Sequence, residues 1–234
     1  MYKKVELLSK KEHKDLAIDL ASSYEFTKDL GIVTIGISEI PKLSSILPII
    51  ISGGDIQQFA VISSVANMPS YFSKENISTD SYIPMMIQAY PFIMVDANEE
   101  GNKSKKLRAV AIDMDNKYTG IDKIFKIFNE DGSFNSKIKN KIDTVQRLEV
   151  DKKNSTSLIN SLKKYNLLEK RSIEVKDEKN EKKVVVLKDF YVVNKKKLYE
   201  IDNDILTKWS KNGWLFMINS HIHSMDNLRL IFKQ

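Results

Sequence analysis

The stretch RAVAIDMDNKYTGIDKIFKIF (residues 108–128) marks the point where this chain changes character. Its opening, Arg108–Asp113, is a short apolar run closed by Asp and Asn, the signature of a strand running into a loop. From Gly120 to Phe128 the spacing changes. Ile121, Ile124, Phe125 and Phe128 recur as on one face of a helix, which Asn129-Glu130-Asp131-Gly132 would end.

Working outward towards the N-terminus, the pattern stays strand-like. Apolar runs predict strands at Lys4–Leu7, Ile32–Ser38, Ile49–Ile51, Phe59–Ser64 and Phe92–Val95. Two helical turns interrupt them, one after Glu39 (IPKLSSIL) and one from Asp80 to Ala89. Each runs into a proline, Pro48 or Pro91, and the residue before a proline disfavours helix, so each turn passes abruptly into a strand. Gly53-Gly54-Asp55 reads as a hairpin turn, since it lacks the Lys-Ser/Thr of a phosphate loop.

Towards the C-terminus the spacing is helical. Phe134, Ile138, Ile142, Val145 and Leu148 form one stripe, which resumes at Leu158, Ile159 and Leu162 after the polar run DKKNSTS (151–157). Whether 134–166 is one helix or two stays open. A hairpin follows at Ser172–Lys176 and Lys183–Leu187, then a strand at Phe190–Val193 and three short helices. Asp202 or Asn203 caps the first, which stops at Asn212-Gly213. The second is Trp214–Met225, and Asp226 can cap the last. The expected fold class is α+β: a single compact domain, 1–234, with a β-rich part (1–116) packed against a mainly helical part (117–234) that carries the inserted hairpin.

Of the residues, 42% are hydrophobic and 29% charged, ordinary for a folded chain of 234 residues. With no cysteine there is no disulfide, thiolate metal site or cysteine nucleophile. The start is charged (KKEHKD, 10–15), and the apolar run Ile46–Ser52 is too short to span a bilayer. A cytoplasmic product, reaching the surface only through dedicated export, is therefore expected. The net charge of +6 raises nucleic acid as a partner. Lysines mixed with carboxylates fit a solvated surface better.

Three segments together resemble the SapC family of bacterial proteins, named for an association with paracrystalline surface layers. They are VELLSKKEHKDLAI (5–18), centred on His13; YIPMMIQAYPFIM (82–94), with its Tyr90-Pro91-Phe92 joint; and the ending, DFYVVNKKKLYE (189–200) with DNDILTKWSKNGWLFMINSHIHSMDNL (202–228). The ending carries His221, Ser224, Asn227 and Leu228 as His-x-x-Ser-x-x-Asn-Leu. The resemblance implies a role in building, exporting or coating the surface layer and brings no catalytic residues. The expected partner is therefore a protein, such as a surface-layer or export component.

His13, Tyr90, His221, Ser224 and Asn227 are the candidate ligand- or partner-binding residues. On a helix His221 shares a face with Ser224 and Leu228. It either lines a polar pocket or sits in the core, bonded to backbone or to Ser224. His221 and His223, two apart, stand about 200° apart around a helix and do not chelate one ion, so no metal is expected, and no cofactor. A Ser224–His221 nucleophilic pair lacks a glycine-flanked elbow and an oxyanion hole. Asp113 and Asp115 resemble hard-cation ligands but read better as a strand entering a solvated loop. Trp209, Trp214 and Phe216 read as a core cluster. Residues 155–187 follow the order of a winged-helix module, which makes a nucleic-acid-binding regulator the alternative function. Lys176, Lys179, Lys182 and Lys183 are nearly balanced there by Glu174, Asp177, Glu178 and Glu181, which weakens binding to phosphate. A further alternative is an enzyme, or a cofactor-dependent partner protein, centred on His221.

Overall fold

A computed structural model describes residues 1–21, 23–65, 68–73, 81–99, 102–176 and 183–231. In chain order the elements are β1 (Val5–Leu7), β2 (Ala17–Ile18), β3 (Ile32–Thr34), α1 (Ile40–Leu43), β4 (Ile49–Ile51), β5 (Phe59–Ile62), α2 (Met85–Ala89), β6 (Phe92–Glu99), β7 (Asn102–Asp113), β8 (Thr119–Gly120), β9 (Phe125–Lys126), α3 (Ser136–Lys164), β10 (Leu168–Lys176), β11 (Lys183–Val193), α4 (Lys195–Leu198), α5 (Asn203–Lys211), α6 (Trp214–Ser224) and α7 (Leu228–Ile231). The fold is α+β. Its elements build two compact units: Met1–Thr27 with Met85–Glu149, and Lys28–Pro84 with Val150–Gln234.

In the first unit β7 lies between β1 and β6, all antiparallel. Phe92 faces Ile112 across the β6–β7 ladder. Both are buried with Ile138, Ile142 and Val145, the stripe read from the first turns of α3. A second small sheet has β2 at its centre, between β8 and β9. This overturns the helix expected at Gly120–Phe128. Both edges of β2 need partners for their backbone groups, and the two flanks of that stretch supply them, so tertiary pairing overrides helical spacing. Ile127 is fully buried, while Ile121 and Ile124 project at the tip of the loop that joins β8 to β9, 81% and 76% exposed. Asp19 secures that tip by accepting the Ile124 N–H at 3.0 Å.

In the second unit a five-stranded antiparallel sheet has the order β10-β11-β4-β5-β3. It draws strands from both sides of Lys117, because the late hairpin β10–β11 joins the early strands through Tyr191 opposite Ile51. Ile50, Ala60, Ile62, Phe190, Val192 and Ile231 form its core. The turn read at Gly53-Gly54 connects β4 to β5, with Gly54 at φ 91°. Gly53 is where β11 comes closest: a Cβ placed there would stand 2.0 Å from the Asp189 carbonyl oxygen. Because the obstacle is backbone, Gly53→Ala is expected to lower stability by about 3 kcal/mol in urea unfolding, and an unchanged midpoint would refute this close approach.

One unbroken helix, α3, settles the question over 134–166. The run DKKNSTS contains neither Gly nor Pro. Its hydroxyls turn back on the helix, Ser155 donating to the Asp151 carbonyl, Thr156 to Lys152 and Ser157 to Lys153. Asn166 ends the helix in the left-handed conformation, and the Leu167 N–H returns to the Leu162 carbonyl. As read, Asp202 caps α5, and Gly213 stands left-handed (φ 74°) before α6. The aromatic cluster divides. Trp209 is buried against Tyr165, whereas Phe216 is 60% exposed, so Phe216 is not core.

Candidate functional site

In the first unit Tyr90 ends the α2 joint, before a cis Tyr90–Pro91 peptide, and its ring stacks on Phe26 at 4.5 Å. Its phenol donates to Asp113 Oδ2 at 3.0 Å. Asp113 is fully buried, not solvated as its Asp–Asn surroundings suggested. Oδ1 accepts the N–H of Lys4 at 2.9 Å, and those of Lys3 and Asp115 at 3.3 Å each. A buried carboxylate is tolerable only with such donors, and these ones tie the chain start to the end of β7. Burial, together with the Asp113 charge, raises the Tyr90 phenol well above its ordinary range.

Lys141 was not foreseen as a special residue. Its ammonium donates to the carbonyls of Gln88 and Tyr90 at 2.7 and 2.8 Å, and burial pushes it down to about 8. The signal available was its place beside Ile138 and Ile142 on the apolar stripe of α3. His13 is also buried. Its Nδ1 accepts the Ser9 N–H at 3.1 Å, and Nε2 lies 3.7 Å from Glu6.

The other three sequence candidates sit in the second unit. Spaced three apart, they each reach backbone of a different segment. His221 Nε2 accepts the Val193 N–H of β11 at 3.1 Å. Ser224 Oγ accepts the Ile49 N–H of β4 at 2.9 Å, and Asn227 donates to the Ser44 carbonyl after α1 at 2.8 Å. The His-x-x-Ser-x-x-Asn spacing therefore bolts α6 and the turn after it to β11, β4 and the end of α1. The Ser224 hydroxyl gives its proton to the His221 backbone carbonyl at 2.6 Å, not to the imidazole, so the pair lacks the geometry of a nucleophile and its base. With Nε2 accepting, the imidazole proton lies on Nδ1, which is buried without a hydrogen-bond partner. Complete burial pushes this imidazole down to about 4, against a small opposing effect of the Ile49 backbone.

Among the described residues no group of three or more His, Asp or Glu side chains is placed to hold a metal. No helix among them is long and apolar enough to cross a membrane.

The second unit has a cavity of about 730 Å³ beside Lys28, Ile32 and Val186, and a cleft of about 590 Å³ between the β10–β11 hairpin and the end of α6. The floor of the cleft is apolar: Phe190 and Val192 are buried, while Ile173, Ile222, Met225 and Leu228 are half-buried. Arg171, Lys195 and Lys196 stand exposed at the rim beside Glu169. A larger cavity in the first unit, about 1100 Å³, is lined mainly by charges of both signs, Lys10, Lys14 and Lys126 against Asp15, Glu130 and Asp131. Charge of mixed sign and a more polar lining make it the poorer recognition site.

The sequence model of the SapC family matches residues 8–230, nearly the whole chain. The chain belongs to the SapC family. The match covers the first of the resembling segments from residue 8 on and the other two in full, including the bolt of α6. No curated protein and no solved structure matches this SapC-family chain.

Proposed function

We propose that this SapC-family chain is a non-enzymatic accessory protein of surface-layer biogenesis, acting in the cytoplasm before export by holding a protein partner. The observation that carries the reading is the open cleft of the second unit. It joins an apolar floor to a charged rim, whereas His221, Ser224 and Asn227 beside it are hydrogen-bonded inside the fold. Concave apolar surface with a few polar groups at its edge is what a partner's side chains are bound by. Met225 suits such a floor, since its flexible thioether adapts to the shape it meets.

The winged-helix alternative finds less support. The hairpin β10–β11 is part of the five-stranded sheet, and its tip, with Lys179 and Lys182, lies outside the described residues. Family membership is what supports the surface-layer connection.

The test is co-isolation of the full chain from producing cells, wild type against Met225→Glu, with circular dichroism to verify the fold. A surface-layer or export protein should accompany the wild type and fall at least about tenfold with the variant, since a carboxylate in an apolar floor costs more than 1.4 kcal/mol of binding. Equal recovery with both chains would remove the cleft from the function.

A further inference from the structure

We infer that the second-unit cleft takes an acidic linear peptide segment, an apolar side chain flanked by carboxylates, and that Lys195 and Lys196 recognise its charge. This rests on the reading that the cleft holds a protein partner, and it adds the chemistry of that partner.

The rim is electrostatically lopsided. Arg171 is already paired with Glu169 at 2.9 Å, and the other oxygen of Glu169 accepts from Asn194 at 3.3 Å. That group is neutral as a whole. Lys197, next along, donates to the Asn166 carbonyl at 3.2 Å and is held away from the mouth. The ammonium groups of Lys195 and Lys196 have no ion-pair or hydrogen-bond partner among the described residues, and both side chains are exposed on the cleft lining. Asn194 fixes their position, because its side chain caps α4 through the Lys197 N–H at 3.1 Å. Two neighbouring ammonium groups repel each other, and an incoming carboxylate relieves that repulsion while it pairs.

The floor decides between classes of anion. A phosphate backbone brings no apolar group for Ile222, Met225 and Leu228 to cover. Nucleobases need an exposed aromatic face on which to stack, and Phe190 is only 3% exposed. A bilayer surface is met by apolar side chains that protrude, whereas these line a concavity. A peptide whose Leu or Phe enters the cleft while neighbouring Glu or Asp meets the lysines satisfies both parts.

Fluorescence anisotropy with the full chain tests this directly. The probe is a short labelled peptide with Leu and Phe set among Glu and Ser; one control carries Gln for Glu, another Ser for Leu and Phe. Micromolar binding at low salt is expected for the first alone. Lys195→Glu with Lys196→Glu, at exposed positions that leave the fold intact, should weaken it about tenfold, with most of that dependence lost at high salt. Binding that ignores the double substitution, or equal binding of the Gln peptide, would overturn the charge assignment. If Met225→Glu still abolished binding, the partner-holding cleft would stand without it. Binding of duplex DNA or of phosphatidylglycerol vesicles, lost with the same two lysines while the peptide fails, would overturn the assignment in favour of those ligands. Peptide binding and partner co-isolation that both survive Met225→Glu would sink the underlying reading as well.

Discussion

Asp113→Ala is expected to destabilise the protein by roughly 4 kcal/mol in urea unfolding. The size follows from what the carboxylate serves. It is fully buried, accepts the Tyr90 phenol, and takes backbone N–H groups from Lys3, Lys4 and Asp115. Removing it leaves the phenol and at least the Lys4 amide without an acceptor, and each orphaned donor costs about 1–3 kcal/mol. Asp113→Asn keeps an oxygen for some of these donors and should cost about half as much. A loss below about 1 kcal/mol for the alanine variant would show that the carboxylate does not organise the chain start.

The second large effect is on acid stability. Lowering the pH from 6.5 to 4 should cost about 3 kcal/mol through His221 alone, since its imidazole moves from 6.5 to about 4 on folding. Between those values the unfolded chain takes up a proton that the buried ring refuses. Stability therefore falls as the pH falls through the window. Above 6.5 neither state is protonated at this site and the cost is absent; below 4 both are protonated and the cost is complete. His221→Gln offers the Val193 N–H an acceptor that does not titrate. It should be less stable than wild type near neutrality, yet lose less on acidification between 6.5 and 4. Parallel acid curves for the two proteins would contradict the buried neutral imidazole.

Much of the fold could be read in the residues where local chemistry and tertiary demand agree. Apolar runs closed by Pro, Gly or Asp became β4, β5 and β6, and Asn212-Gly213 stopped α5 as its left-handed conformation requires. The misreadings fall where they disagree. Residues 120–128 carry helical spacing but supply two edges to β2, a demand invisible without the partner strand. The polar run inside α3 left one helix or two open because serine and threonine favour turns, and the question closed on their hydroxyls, which bond helix carbonyls. Asp113 read as a strand entering a solvated loop, yet it is buried, because the Lys4 N–H and the Tyr90 phenol, both distant in sequence, supply its donors.

The candidate residues show the same division. His221, Ser224 and Asn227 were legible as a group from their spacing, and the structure gives each a backbone partner. The cleft was not legible. Ile173, Phe190, Met225 and Leu228 come from separate elements, and nothing local marks them as neighbours. Lys195 and Lys196 looked like any other pair in a lysine-rich chain, and only the pairing of Arg171 with Glu169 and the anchoring of Lys197 single them out.

The most direct measurement is site-specific photocrosslinking in producing cells, with a benzophenone amino acid at position 196 or 225 of the full chain and, for comparison, at the exposed tip residue Ile121. Adducts with a surface-layer or export component are expected from 196 and 225, and none of that component from 121. The same component captured from 121 and not from the cleft positions would contradict the proposed function.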